Sequence, residues 1–164
     1  MSIIHNHGAA RSGTKSERML QRITTELGFK YLKVQADYER HNIDQWGTRY
    51  HKPPNDWPQL TPKGSQRKYE ADGYILLPNG SGIIVEQKHS DKHGTTEEKV
   101  FYDLEKIRLG VYGDSPLWYV FTGNVAELTN AYKEFEVRLK ASDVKNVKII
   151  WGINNFKKEL AKLQ

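Results

Sequence analysis

Apolar residues recur at helical spacing in several segments of the chain. The clearest stripe consists of Val100, Leu104 and Ile107, which follow a Thr95–Glu98 capping box. Glycines that commonly end helices follow the first two of these segments. The spacing predicts helices over residues 15–27, 95–109, 125–141 and 155–164.

Shorter apolar runs of strand length lie between these segments. The run PLWYVFTG, for example, is rich in residues with high β propensity. The runs predict strands over residues 31–39, 116–123 and 147–152, and a hairpin over residues 69–88. The order is then helix, three strands, helix, strand, helix, strand, helix. This order predicts an α/β domain, in which helices cover both faces of a mixed central sheet and form three layers, α/β/α.

The hairpin, EADGYILLPNGSGIIVEQK over residues 70–88, carries charged residues where apolar ones would pack better. A turn centred near Asn79 places Asp72 opposite Glu86. Opposed residues of an antiparallel pair share a face, with Cβ atoms about 4.5–5.5 Å apart. Period-2 alternation adds Lys88 to that face. The hairpin therefore predicts a cluster of two carboxylates and one lysine.

Two carboxylates held this close repel each other. Either one of them has a raised pKa, or a divalent cation lies between them. Ligation by oxygen alone suits Mg²⁺, or Mn²⁺ in its place. A lysine beside such a cation can orient or help deprotonate a water and stabilise negative charge. The alternative is an ionic ladder between Glu86 and Lys88 on a solvated face.

Charge is concentrated in one loop, at about residues 41–68. The chain has a net charge of +5, and between Thr48 and Tyr69 five basic residues stand against Asp56 alone, which leaves +4 there. The same segment holds aromatic residues and four of the six prolines. Such a loop is typical of a phosphate-contacting surface, and the alternative is a solvated loop whose aromatics pack on the core. The basic residues predicted to bind nucleic acid are Arg49, Lys52, Lys63, Arg67 and Lys68.

Composition excludes several classes of protein. With no cysteine, the chain has no disulfide and no thiolate zinc site. No apolar run approaches the roughly 20 residues of a membrane span, and no secretory signal is recognisable. We therefore expect a soluble, cytoplasmic protein with a flexible segment at 1–14 and one domain at 15–164. Without a Gly-rich phosphate loop, no organic cofactor is expected.

The segments ADGYILL and GIIVEQK resemble the PD-(D/E)XK nuclease superfamily, which has the restriction-endonuclease-like fold. The resemblance covers about residues 15–152, although only the hairpin carries the motif. It implies that Asp72 and Glu86 are metal ligands and that the Gln87 backbone carbonyl is a third. It also implies that Lys88 is the catalytic lysine. Glu17 matches an acid that supports the metal waters in many members, or is an ordinary acidic residue of the first helical turn.

The function that this resemblance implies is Mg²⁺-dependent endonucleolytic hydrolysis of DNA, in a restriction, homing or phage role. A homodimer is expected if both strands are cut. The alternatives are a nucleic-acid-binding module that no longer cuts and a ribonuclease that uses the same residues. Glu70 is an alternative to Asp72. A separate metal site at His89, Asp91 and His93 is weighed against a solvated loop.

Overall fold

The computed structural model describes residues 7–52, 68–92 and 96–164. Within these ranges the helices are α1 (His7–Glu26), α2 (Gln35–Arg40), α3 (Thr96–Arg108), α4 (Asn130–Lys140) and α5 (Ile153–Ala161). The strands are β1 (Lys30–Leu32), β2 (Tyr50–His51), β3 (Tyr69–Glu70), β4 (Gly73–Leu76), β5 (Gly82–His89), β6 (Leu117–Thr122) and β7 (Val147–Trp151). In the described part of the chain, none of the helices has the length and apolar character needed to cross a membrane.

Five of the described strands form one sheet in the order β1-β4-β5-β6-β7. The pairs β1–β4 and β4–β5 are antiparallel, and the pairs β5–β6 and β6–β7 are parallel. The sheet is therefore mixed, as predicted. The hairpin register is also confirmed, because Tyr74 pairs with Ile84 and Leu76 with Gly82. Strands β2 and β3 form a separate antiparallel pair on either side of residues 52–68.

Two apolar cores cover the two faces of the sheet. On one face, Leu104 of α3 and Phe135 of α4 pack in a cluster with Tyr119 of β6. On the other face, Leu20 of α1 and Phe156 of α5 belong to a second cluster. This cluster contains the strand residues that alternate with those of the first, such as Trp118 and Val120 of β6. Helices thus flank the sheet on both sides, an arrangement that agrees with three layers, and each layer boundary is a continuous apolar core.

Several predicted boundaries are wrong, among them the start of the helix predicted over residues 125–141, which begins at Asn130. The first helix begins at His7 rather than near Lys15, so the backbone of residues 7–14 is helical, and residues 1–6 lie outside the described part. The strand predicted over residues 31–39 ends at Leu32, and α2 follows. The reason is Asp37, whose carboxylate accepts hydrogen bonds from the backbone N–H groups of Lys33 (3.0 Å) and Val34 (3.1 Å). These bonds satisfy donors at the helix start and favour a helix over a longer strand.

Gly123, directly after β6, occupies a position that a side chain cannot take without strain. Its φ is +101°, and a Cβ would lie 2.2 Å from the Ser90 carbonyl oxygen. We expect Gly123→Ala to lower the free energy of unfolding by about 2 kcal/mol, measured by urea denaturation. Gly113 is the control, because it has φ +63° with open space around it, and Gly113→Ala should cost only about 1 kcal/mol. Equal losses would show that contact with Ser90 adds nothing.

Candidate active site

The two predicted carboxylates meet beside the ends of β4 and β5. Gly73 pairs with Val85, so Asp72 is the next residue outward and lies beside Glu86. The Gln87 backbone N–H donates a hydrogen bond of 2.8 Å to Asp72 Oδ2. Glu86 is buried, with 8% of its surface exposed. The structure therefore brings Asp72 and Glu86 together on one face of the sheet.

The electrostatics of this pair favour a bound proton or a cation. Burial raises the pKa of Glu86 well above its ordinary value, and the Asp72 carboxylate raises it further. Burial also raises the pKa of Asp72, although a hydrogen bond from the Gln87 backbone offsets part of that effect. Each raised pKa means that negative charge is disfavoured in the pair.

Glu86 is held in place by residues outside the hairpin. The Tyr112 hydroxyl donates a hydrogen bond of 3.0 Å to Glu86 Oε1. Lys106 Nζ in turn donates to the Tyr112 hydroxyl at 3.2 Å. Both residues are buried, and they come from α3 and the segment that follows it. The sequence analysis missed them, since nothing local to the hairpin shows which later residues pack above it.

Lys88 lies on the same face and forms an ion pair with Asp103 of α3, with 3.0 Å between Nζ and Oδ2. Asp103 also pairs with Lys106 at 2.9 Å and accepts a hydrogen bond from the Tyr119 hydroxyl. Burial alone would lower the pKa of Lys88, but Asp103 raises it, and the net shift is upward. Lys88 is therefore protonated at neutral pH, which favours an orienting, charge-stabilising role over the role of a base.

Asp103 was also missed, although the sequence carried a signal for it. It lies three residues after Val100, on the same helical face as Leu104 and Ile107. A charged residue on a buried stripe requires a partner of opposite charge. Burial alone would raise the pKa of Asp103, but Lys88 and Lys106 lower it below its ordinary value. Asp103 is thus an anion that holds both lysines at the site.

Glu17 lies near the pair without joining it. Its carboxylate forms an ion pair with Lys33, just after β1. Its charge is still close enough to contribute to the raised pKa of Asp72. Tyr31 lies in the same region, where its ring fills the space that a Cβ on Gly73 would need. The position agrees with a supporting role at most, since Lys33 already engages the Glu17 carboxylate.

The donor set fits Mg²⁺ only as a partly hydrated ion. In the parts of the chain that the structure describes, no group of three or more histidine, aspartate or glutamate side chains could hold a metal. Asp72 and Glu86 supply two carboxylates, and the Gln87 carbonyl is the further oxygen that the resemblance implies. Mg²⁺ usually keeps several waters and takes one or two carboxylates. The raised pKa values of the pair are those that a neighbouring cation would lower.

Arg49, one of the predicted phosphate-binding residues, is engaged by neighbouring side chains. Its side chain is buried, and its guanidinium donates to Glu70 Oε1 at 2.6 Å and 3.1 Å and to Gln45 at 2.9 Å. These bonds hold the β2–β3 pair to the preceding segment. These contacts give Arg49 a structural role, and its predicted contact with nucleic acid stays a prediction. Glu70 is tied to Arg49 and is no substitute for Asp72.

Lys52 and Lys68, in contrast, are exposed on either side of residues 53–67, which lie outside the described part of the chain. Lys52 Nζ lies 5.0 Å from the ring centroid of Trp46, and Lys68 Nζ lies 3.7 Å from that of Tyr50. Trp46 itself is 50% exposed. These four residues form a cationic and aromatic surface, which we call the Trp46 surface. Lys63 and Arg67 lie outside the described residues.

His89 is no metal ligand in this arrangement. Its Nε2 lies 2.9 Å from Asp91 Oδ2, and its Nδ1 lies 2.7 Å from Ser16 Oγ. Both ring nitrogens are thus engaged by the protein. His93, the third residue of the metal site considered from the sequence, lies outside the described residues. Within the described part of the chain, only the Asp91–His89 pair of that site is present.

These elements define an α/β protein with a mixed sheet flanked by helices. A scan against protein-family models finds no match, and a search of curated proteins finds no significantly similar chain. Because an α/β fold hosts many functions, function must be inferred from the chemistry of the site.

We expect Glu86→Gln to raise the free energy of unfolding at neutral pH in metal-free buffer. Glutamine is neutral and keeps the oxygen that accepts from Tyr112. The pKa of Glu86 is raised in the folded protein, so the folded state binds the proton more tightly than the unfolded chain. Stability is therefore highest below the ordinary pKa of 4.5 and falls as the pH rises through the folded-state pKa.

Urea denaturation between pH 4 and pH 8 measures this effect, with the exposed Glu98→Gln as the control. The increase in the free energy of unfolding from Glu86→Gln should be largest at pH 8 and should become smaller toward pH 4. Mg²⁺ should stabilise the wild type and leave Glu86→Gln little changed, because a ligand stabilises only the state that binds it. A variant less stable than the wild type at every pH would contradict this account.

Proposed function

We propose that the protein is a Mg²⁺-dependent DNA endonuclease on a restriction-endonuclease-like fold. The observation that carries the proposal is the adjacency of Asp72 and Glu86, with the protonated Lys88 on the same face. Two carboxylates with raised pKa values and a neighbouring ammonium group suit phosphodiester hydrolysis better than they suit a structural role, because they destabilise the fold around them.

Each residue has a part in this chemistry. Bound Mg²⁺ would supply Lewis-acid activation of the scissile phosphate and of the attacking water. Asp72 and Glu86 would hold the ion, and Tyr112 keeps the Glu86 carboxylate oriented through its hydrogen bond. Lys88 orients the water and stabilises the negative charge that develops on the phosphoryl oxygens. The new bond joins the water oxygen to phosphorus as this water gives up a proton to the solvent, the P–O3′ bond breaks, and the 3′ oxygen leaves with a proton from another water.

The Trp46 surface supports a nucleic-acid substrate. Its two lysines are exposed and can neutralise backbone phosphates, and its exposed indole can stack on a base. The surface lies at both ends of the segment of the chain with the most concentrated positive charge.

The proposal is tested with labelled single- and double-stranded DNA and RNA of one sequence, each incubated with Mg²⁺ or EDTA. Cleavage of DNA in Mg²⁺ alone is the expected result. Cleavage of RNA alone would favour the ribonuclease, and gel shifts without any cleavage would favour a binding module. Linear product from a circular duplex would indicate the predicted homodimer, and nicks alone would indicate a monomer.

We expect Lys52→Ala combined with Lys68→Ala to weaken DNA binding at low salt and to reduce the slope of log K against log [salt] by about 2, because each lysine that contacts a phosphate contributes about 1. Fluorescence anisotropy in EDTA measures both quantities without cleavage. Lys157→Ala with Lys158→Ala is the matched control, because it removes the same charge from exposed positions on α5. Equal slopes for the two double variants would show that the Trp46 surface does not bind DNA.

A further inference from the structure

A second site lies at the carboxyl ends of the parallel strands. A cavity of about 580 Å³ opens there, between the residues that follow β6 and β7. The chain leaves β6 toward α4 on one face of the sheet and leaves β7 toward α5 on the other face. Such a divergence is the place where open α/β sheets bind ligands, and the volume is in the usual range of ligand pockets, about 300–1,000 Å³.

The lining of the cavity is rich in amides and poor in positive charge. Three exposed asparagines line it, and the apolar side chains of Met19, Trp151 and Ile153 complete the walls. Among the described residues, the charged groups of the lining are Lys15 on one side and Asp91 and Glu127 on the other, so acids outnumber lysine there. A phosphate would meet net negative charge here. Amide groups supply donors and acceptors together, which suits a neutral ring with both. The asparagines are Asn124, Asn154 and Asn155.

The floor of the cavity is a fixed chain of polar groups. Asp91 bonds to His89, and His89 bonds to the buried Ser16. If Nε2 donates to Asp91, Nδ1 accepts from Ser16, so one tautomer satisfies both contacts. The Asn124 backbone N–H also donates to Asp91, at 3.3 Å. The floor is therefore preorganised and keeps its geometry without a ligand.

We propose that this cavity binds an unpaired nucleobase of the substrate strand. The inference rests on the proposed nuclease function for the identity of the ligand. His89 directly follows Lys88 on β5, and its side chain lies on the opposite face of the strand. Ser16 of the cavity directly precedes Glu17, whose charge reaches Asp72, so the cavity lies close to the carboxylate pair. A strand whose phosphate is held at Asp72 and Glu86 would then place a neighbouring base at the cavity. The substrate class is DNA with an unpaired or displaced base next to the cleaved bond.

The test uses neutral nucleosides, which lack the phosphate that the proposed active site would bind. Adenosine, guanosine, cytidine and thymidine are titrated into the ¹⁵N-labelled wild type in EDTA, and the amide signals of Gly123 and Gly152 are followed. At least one nucleoside should shift both signals in a saturable manner. Asn154→Ala should weaken that binding about fivefold, as expected for the loss of one hydrogen bond. Asn130→Ala, exposed at the start of α4, should not change it.

Three results would overturn the proposal. They are the absence of any shift with all four nucleosides, shifts with inorganic phosphate in their place, and an unchanged affinity in Asn154→Ala. Because EDTA prevents Mg²⁺-dependent cleavage, the result does not depend on activity. If the protein binds nucleosides but cuts no nucleic acid, the cavity is a nucleoside site and the proposed nuclease function is wrong. If the protein cleaves DNA but binds no nucleoside, the nuclease function stands and the proposed nucleobase site is wrong.

Discussion

Lys88→Met is expected to lose Mg²⁺-dependent cleavage of DNA by at least about a hundredfold, the usual cost of removing one group that stabilises transition-state charge. Methionine keeps most of the side-chain stem and removes only the ammonium group. Asp103 retains Lys106 and Tyr119 as partners, so the fold should remain close to that of the wild type. Initial rates on supercoiled plasmid measure the effect, and circular dichroism confirms that the variant is folded.

The matched control for this result is Lys99→Met, which removes the same charge from an exposed position on α3. It should cut at the wild-type rate. If both variants were equally active, Lys88 would have no part in catalysis. If both were equally impaired, the loss would reflect net charge and weaker DNA binding rather than the chemistry at the site.

Asp103→Asn is expected to lower the free energy of unfolding by about 3–5 kcal/mol, because it removes one partner from a buried charge network and leaves the others uncompensated. Asp103 is 5% exposed and lies within 3.0 Å of both Lys88 and Lys106. Two lysines would then face each other across a neutral amide. Urea denaturation at pH 7 measures the loss.

The control for Asp103→Asn is Glu105→Gln on the same helix. Glu105 pairs with Arg108, and both side chains are about half exposed. Such a surface pair contributes less than about 1 kcal/mol, so Glu105→Gln should shift the midpoint very little. A loss of similar size in the two variants would show that Asp103 is not the centre of a buried network.

The hairpin was predictable because its signals are local. The alternation of residues 72–76 and 82–88 and the turn between them determine which side chains share a face. The pairing of Tyr74 with Ile84 confirms that register. The apolar run at β6 was likewise predictable, since a strand that is buried on both faces is a continuous apolar run in the sequence.

The misses have a different physical origin. Asp37 ends β1 through hydrogen bonds to neighbouring backbone groups, and these override an apparent alternation. From the sequence, Arg49 is expected to be a surface cation. In the fold its guanidinium donates a hydrogen bond to Glu70, which is 21 residues away in the chain. Tyr112 and Lys106 meet Glu86 only through the packing of α3 over the sheet. Long-range pairing of polar groups leaves no periodic pattern in the chain.

The proposed function depends most on Asp72 and Glu86 forming a metal-dependent hydrolytic site. The most direct test incubates supercoiled plasmid with the wild type and with Glu86→Gln over a series of Mg²⁺ concentrations, beside samples that contain EDTA. We expect the wild type to cut in proportion to bound Mg²⁺ and to stop in EDTA, and we expect Glu86→Gln not to cut although it is folded and at least as stable. Equal cleavage by the two proteins, or cleavage that persists in EDTA, would contradict it.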